Sequence, residues 1–89
     1  MKKMVIDCLA VKDREQFHDI FAQTLEFPDY YGRNLDALFD CLTDIHQETD
    51  ITLICHGALE ANMGLYGKKA VEVLVRAAME NENITLSLE

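Results

Sequence analysis

Short apolar runs and helically spaced apolar positions take turns along the chain. Met4, Val5, Ile6 and Cys8 form a first short run that reads as a strand. Asp13 then opens a helix, with Gln16 three residues on in a capping-box arrangement, and Phe17, Ile20, Phe21 and Leu25 recur at helical spacing. Pro28 is expected to close that helix because it has no backbone N–H, and Tyr30-Tyr31-Gly32 makes a turn toward Asn34, a good N-cap. A second helix is predicted over residues 35–45, with Leu35, Leu38 and Leu42 as its buried stripe and Ala37, Cys41 and Ile45 widening it. Residues 51–55, Ile-Thr-Leu-Ile-Cys, form a nearly continuous apolar run, the pattern of a strand covered on both faces or central in its sheet. His56-Gly57 breaks it, and residues 58–66 are ambiguous between loop and short helix. A further helix is predicted over 68–79 from Val71, Leu74, Val75 and Ala78, and a last strand over 84–88, where Ile84, Leu86 and Leu88 alternate.

Strand, two helices, strand, one or two helices, strand is an α/β order, and crossovers of this length join parallel strands. The expected fold is a three-stranded parallel sheet packed against three or four helices, in one domain spanning residues 1–89. With 49% hydrophobic and 27% charged residues, the chain is apolar enough to build that core and too apolar for disorder. No internal repeat or linker divides it.

Charge narrows the function classes. Sixteen Asp and Glu against eight Lys and Arg leave a net charge of −8, which argues against direct binding of nucleic acid or anionic membranes and favours basic partners. Three cysteines, Cys8, Cys41 and Cys55, form no CxxC pair and cannot all pair internally, so a reduced, cytoplasmic setting is expected. The opening apolar run is too short and too interrupted for a signal peptide, and no stretch approaches membrane-spanning length.

The second helix carries the chemistry. At about 100° per residue its Leu stripe lies on one side, while Asp36, Asp40 and Asp44 line the other at i, i+4 and i+8, with Phe39 and Thr43 at the border. Like charges so spaced destabilise a helix by roughly 0.2–0.5 kcal/mol per pair, so helix stability does not account for the row. A solvated surface is the plain explanation of such carboxylates; the neighbouring tyrosines and Phe39 favour a protein interface instead.

The run Pro28-Asp29-Tyr30-Tyr31-Gly32-Arg33-Asn34-Leu35-Asp36-Ala37-Leu38-Phe39-Asp40-Cys41-Leu42-Thr43 resembles the barstar signature PxYYGxNLDALxDCLT. The resemblance implies an intracellular protein that inhibits a basic, secreted type of ribonuclease and is monomeric when free. It implies too that Tyr30, Asp36, Phe39 and Asp40 contact the nuclease, with Asp40 inserted in the catalytic pocket. Asn34, Thr43, Asp44 and Arg76 complete the candidate partner-binding set. Three positions depart from the pattern. Phe39 stands where the best-known member has Trp, Asp44 and the 45–50 stretch differ from the family's contact loop, and Arg76 lies where that member has a Glu.

Two rival readings stay open. A barstar-like module or immunity protein could bind a different basic partner, and Asp36 with Asp40 could serve as an acid–base pair assisted by His46 or His56. Carboxylates exposed on one helix lack the burial that separates acid from base, and no His spacing supplies a metal shell, so neither a cofactor nor a metal is expected. His18, His46 and His56 read as surface or loop residues, and Cys41 as a buried small hydrophobe.

Overall fold

The computed structural model describes residues 1–89. Strand β1 (Lys2–Asp7) runs into a single 3-10 turn (Cys8–Ala10) and helix α1 (Arg14–Thr24). Helix α2 (Leu35–Thr43) precedes β2 (Thr49–Ile54), and α3 (Gly57–Met63) and α4 (Leu65–Glu80) precede β3 (Ile84–Leu88). The strands form one parallel sheet in the order β1-β2-β3, with Met4 opposite Ile51 and Ile51 opposite Leu86. This is the expected three-stranded α/β architecture, with four helices.

Alternation decides which face of the sheet is covered. Met4 and Ile6 on β1, Thr49, Ile51 and Leu53 on β2, and Ile84 on β3 are buried, whereas Lys3, Val5, Asp7, Ile54 and Thr85 are exposed. Paired parallel strands put partners on the same face, so the helices cover one face and leave the other to solvent. The apolar run at 51–55 is therefore central but not covered twice: Asp50 and Thr52 fall on the open side, and the polar alternation is the cause. On the covered side, Phe17 and Phe21 of α1, Leu38 and Leu42 of α2, Leu59 of α3, and Leu74 and Ala77 of α4 close the core.

Local signals set the helix ends. Asp13 accepts the Gln16 N–H at 2.8 Å while the Gln16 side chain accepts the Lys12 N–H at 3.0 Å, which caps α1. That helix ends at Thr24, before Pro28 is reached. Glu26 takes a left-handed φ of 56° and the Phe27 N–H reaches back to the Ala22 carbonyl at 3.0 Å, a Schellman closure in which Glu26 sits where glycine is usual. Helix α2 stops at Thr43 and not at residue 45, because the Asp44 and Ile45 N–H groups bond to Cys41 and Leu42, three residues back, and tighten the last turn. The ambiguous stretch before α4 resolves into α3 and the first turn of α4, separated at Gly64 by a φ of 64°.

Three burial expectations are corrected. Leu35 is half-buried, since the first turn of α2 lies at the rim of the core, and Cys41 is half-buried on the flank of the helix. His18 is not a surface residue: it is 1% exposed in α1, with Nδ1 2.6 Å from the Tyr31 hydroxyl and Nε2 2.7 Å from the Tyr66 hydroxyl. The two tyrosines satisfy both nitrogens of the buried ring and tie α1 to the signature turn and to α4.

Candidate protein-binding face

Asn34 starts the face. Its Oδ1 accepts the Ala37 N–H at 2.8 Å and its Nδ2 donates to the Gly32 carbonyl at 3.3 Å, so the side chain fixes both the start of α2 and the turn before it. Arg33, at a left-handed φ of 54°, donates to the Asp19 carboxylate at 2.6 Å and the Glu15 carbonyl at 3.0 Å, pinning the turn to α1. Tyr31 points inward to His18, and its neighbour Tyr30 is thrown outward, 87% exposed. An exposed aromatic ring on a turn held at three points is preorganised for contact.

Asp36, Asp40 and Asp44 are all exposed along α2. The two ion pairs of the structure, Lys2 with Glu26 and Arg33 with Asp19, involve none of them. No side-chain hydrogen bond inside the molecule satisfies these three carboxylates, so the row presents its full charge outward. The Thr43 hydroxyl donates back to the Phe39 carbonyl at 2.9 Å, which occupies its proton within the helix.

Two flanks border the row. On one, a cleft of about 320 Å³ brings Tyr30 together with Asp40 and Asp44 above Phe27, Pro28 and Ile45. On the other, α4 packs against α2, and the Arg76 guanidinium carbon lies 4.9 Å from the centroid of the half-buried Phe39 ring. Tyr30, the aspartates, Phe39 and Arg76 thus belong to one continuous face, with Asn34 and Thr43 shaping it from within. Phe27 and Pro28 line the cleft but were not among the candidate partner-binding residues, although Pro28 opens the signature run and both adjoin the YYG turn. The Arg76 contact with Phe39 had no sequence signal, since β2 and α3 lie between the two in the chain.

The exposed, unpaired carboxylates can hold a cationic surface. Burial first, then the nearby Asp40 and Asp44 charges, raise the Cys41 thiol above its ordinary value and keep it protonated. Burial pushes Cys8 up to about 11. His18 is fully engaged by its two tyrosines, and His56 contacts the Glu89 carbonyl, 3.2 Å away and just past the far strand. No three His, Cys, Asp or Glu side chains converge closely enough to hold a metal ion. No helix is long and apolar enough to cross a membrane.

Comparison with known proteins identifies the family. The family model described as Barstar (barnase inhibitor) matches residues 1–89. A Bacillus subtilis (strain 168) protein named "Putative ribonuclease inhibitor YrdF" is 40% identical over 82 residues, covering 90% of this chain and 89% of that protein. With the family match running from the first residue to the last, the chain belongs to the Barstar family.

Proposed function

We propose that this chain inhibits a basic ribonuclease by laying α2 across its active site, with Asp40 in place of a substrate phosphate. The observation that carries the reading is the row of unpaired carboxylates on α2 set between the Tyr30 cleft and Phe39. An RNA-cleaving site gathers Arg, Lys and His around a phosphate. A carboxylate directed into such a site accepts the same charge-assisted hydrogen bonds, and the net charge of −8 steers the encounter. Membership of the Barstar family and the name of the Bacillus subtilis relative support ribonuclease inhibition as the general activity.

In this reading the nuclease is of the secreted type, the inhibitor acts in the cytoplasm as a monomer, and it carries no hydrolytic activity of its own. The three unpaired thiols accord with a reducing compartment. The test is an inhibition titration: the purified chain is added to basic microbial ribonucleases, barnase first among them, and RNA cleavage is followed. Stoichiometric inhibition that is weakened by Asp40→Ala supports the mechanism. Inhibition indifferent to Asp40 overturns it, and metal-dependent turnover by the chain alone, lost with Asp36→Asn, would establish an enzyme.

A further inference from the structure

From the setting of Arg76 we infer that the cognate ribonuclease presents a carboxylate beside its basic active-site groove, and that Arg76 selects for it. The inference rests on the proposed inhibitory reading and concerns which nuclease is bound.

Arg76 is exposed on α4 next to the acidic row, yet it forms no ion pair with Asp36, Asp40 or Asp44 or with any other carboxylate. The Phe39 ring 4.9 Å from its guanidinium carbon gives the cation a seat against α2. The ring holds the cation in place by a cation–π contact, and no hydrogen bond or ion pair inside the molecule takes up the guanidinium N–H groups, which remain free to donate. The face therefore carries two signs: three free carboxylates and, beside them, one cation seated on the aromatic ring that lies in the same surface. The other basic side chains near the turn do not share this setting. Arg33 is committed to Asp19, and Arg14, although it too is seated on a ring, lies 4.2 Å from the centroid of Tyr66 in the first turn of α4 and not on an aromatic residue of the acidic helix.

A nuclease whose groove rim is uniformly basic would meet Arg76 with like charge. It would also cover N–H donors that have no acceptor, and both effects disfavour binding. A rim carboxylate facing Arg76 removes both costs, and the planar guanidinium edge can bind it in bidentate fashion. Arg76 is accordingly a specificity determinant that rejects wholly basic rims, while the aspartates engage the groove.

The test is a double-mutant cycle with barnase as the probe, using variants in each of which one exposed Arg or Lys around the active site is replaced by Glu. For every variant the affinity relative to parent barnase is measured with the natural chain and with Arg76→Met, whose stem still covers Phe39. At one rim position the relative affinity should be roughly tenfold or more higher with the natural chain than with Arg76→Met, which has no charge to offer the new carboxylate. Arg76→Glu should shift the preference back toward parent barnase. If no position separates the natural chain from Arg76→Met by more than roughly threefold, a panel left wholly unbound included, the inference is overturned. Asp40→Ala run on the same panel keeps the two ideas apart. Binding that depends on Asp40 but ranks the panel identically with and without Arg76 ends the selectivity inference alone, whereas binding indifferent to Asp40 ends the inhibitory reading.

Discussion

The imidazole of His18 stands 2.6 Å from the hydroxyl of Tyr31 inside the core, and that contact joins α1 to the turn that displays Tyr30. The other ring nitrogen is 2.7 Å from the Tyr66 hydroxyl on α4. A neutral ring can donate to one tyrosine and accept from the other; the charged ring can only donate. Burial is the main cause that lowers the His18 pKa below its usual 6.5, and Arg33 adds to it while Asp19 opposes it. The unfolded chain therefore binds a proton before the folded chain does, and stability falls as pH drops from about 6.5 toward the lower folded value. Urea unfolding at pH 7.5 and pH 5.5 should show this loss, and His18→Gln should flatten the difference while lowering stability at both. Tyr66→Phe removes one partner and should cost on the order of 1–3 kcal/mol at pH 7.5. An unchanged pH dependence in His18→Gln would assign the acid sensitivity to other groups.

Gly67 is held against the backbone of α3. A Cβ at this position would collide with the Leu59 carbonyl and lie 2.7 Å from the Glu60 nitrogen, so one helix would have to move. Gly67→Ala should destabilise by at least about 1–3 kcal/mol, seen as a lower melting temperature. At Gly57 a Cβ would meet nothing within 4 Å, and Gly57→Ala should be neutral or raise stability by about 0.4–1 kcal/mol. Equal melting temperatures for the two variants would contradict the α3–α4 packing.

Much of the fold was legible because local signals agreed with the final contacts. Asp13 and Asn34 cap the helices that their sequence positions announced, and the short apolar runs, the alternation at 84–88 and the helical spacings placed all three strands and the long helices in order. Helical spacing likewise placed Asp36, Asp40 and Asp44 on one side of α2, where all three are exposed. What stayed hidden depends on distant partners. His18 looks like any polar helix residue until Tyr31 and Tyr66 are brought to it, and Glu26 ends α1 through a left-handed backbone that its residue type does not advertise. The two-signed character of the binding face needed α4 in place beside α2 before Arg76 could be seen on Phe39.

Asn81 shows the same dependence on tertiary contacts. It is buried beyond the end of α4, and its Nδ2 donates to the Leu42 and Ile45 carbonyls at 2.9 and 3.0 Å. These acceptors lie at and just past the C-terminus of α2, where helix carbonyls lack the N–H four residues on that satisfies them within a helix. Asn81→Ala removes one donor from each, leaving the Leu42 carbonyl to the Ile45 N–H and the Ile45 carbonyl to the Asn83 side chain, and should cost on the order of 0.5–1.5 kcal/mol. Hydrogen exchange should register faster opening of the last turn of α2, which leads into Asp44. Protection unchanged there, with stability lost elsewhere, would show that Asn81 acts on β3 and not on α2.

Asp40 and Asp44 line the same cleft with Tyr30, yet the proposed mechanism assigns them to different steps of binding. Asp40, within α2, would enter the catalytic groove and lose its water. Asp44, one turn on at the end of the helix, would remain at the rim. Truncating one partner of a desolvated charge pair leaves the other buried and unpaired, so Asp40→Ala should cost about 2–5 kcal/mol or more, expressed as faster dissociation. A rim charge acts through the long-range field that guides encounter, so Asp44→Asn should slow association modestly and leave dissociation nearly unchanged. The association effect should shrink as salt shortens the Debye length to about 8 Å, whereas the effect of Asp40→Ala on release should persist, since water is excluded there. Stopped-flow mixing with an inhibited ribonuclease at two salt concentrations separates the cases. Were Asp40→Ala to slow association only, and to recover fully in high salt, Asp40 would be a rim charge like Asp44 and the phosphate-substitute role would fall.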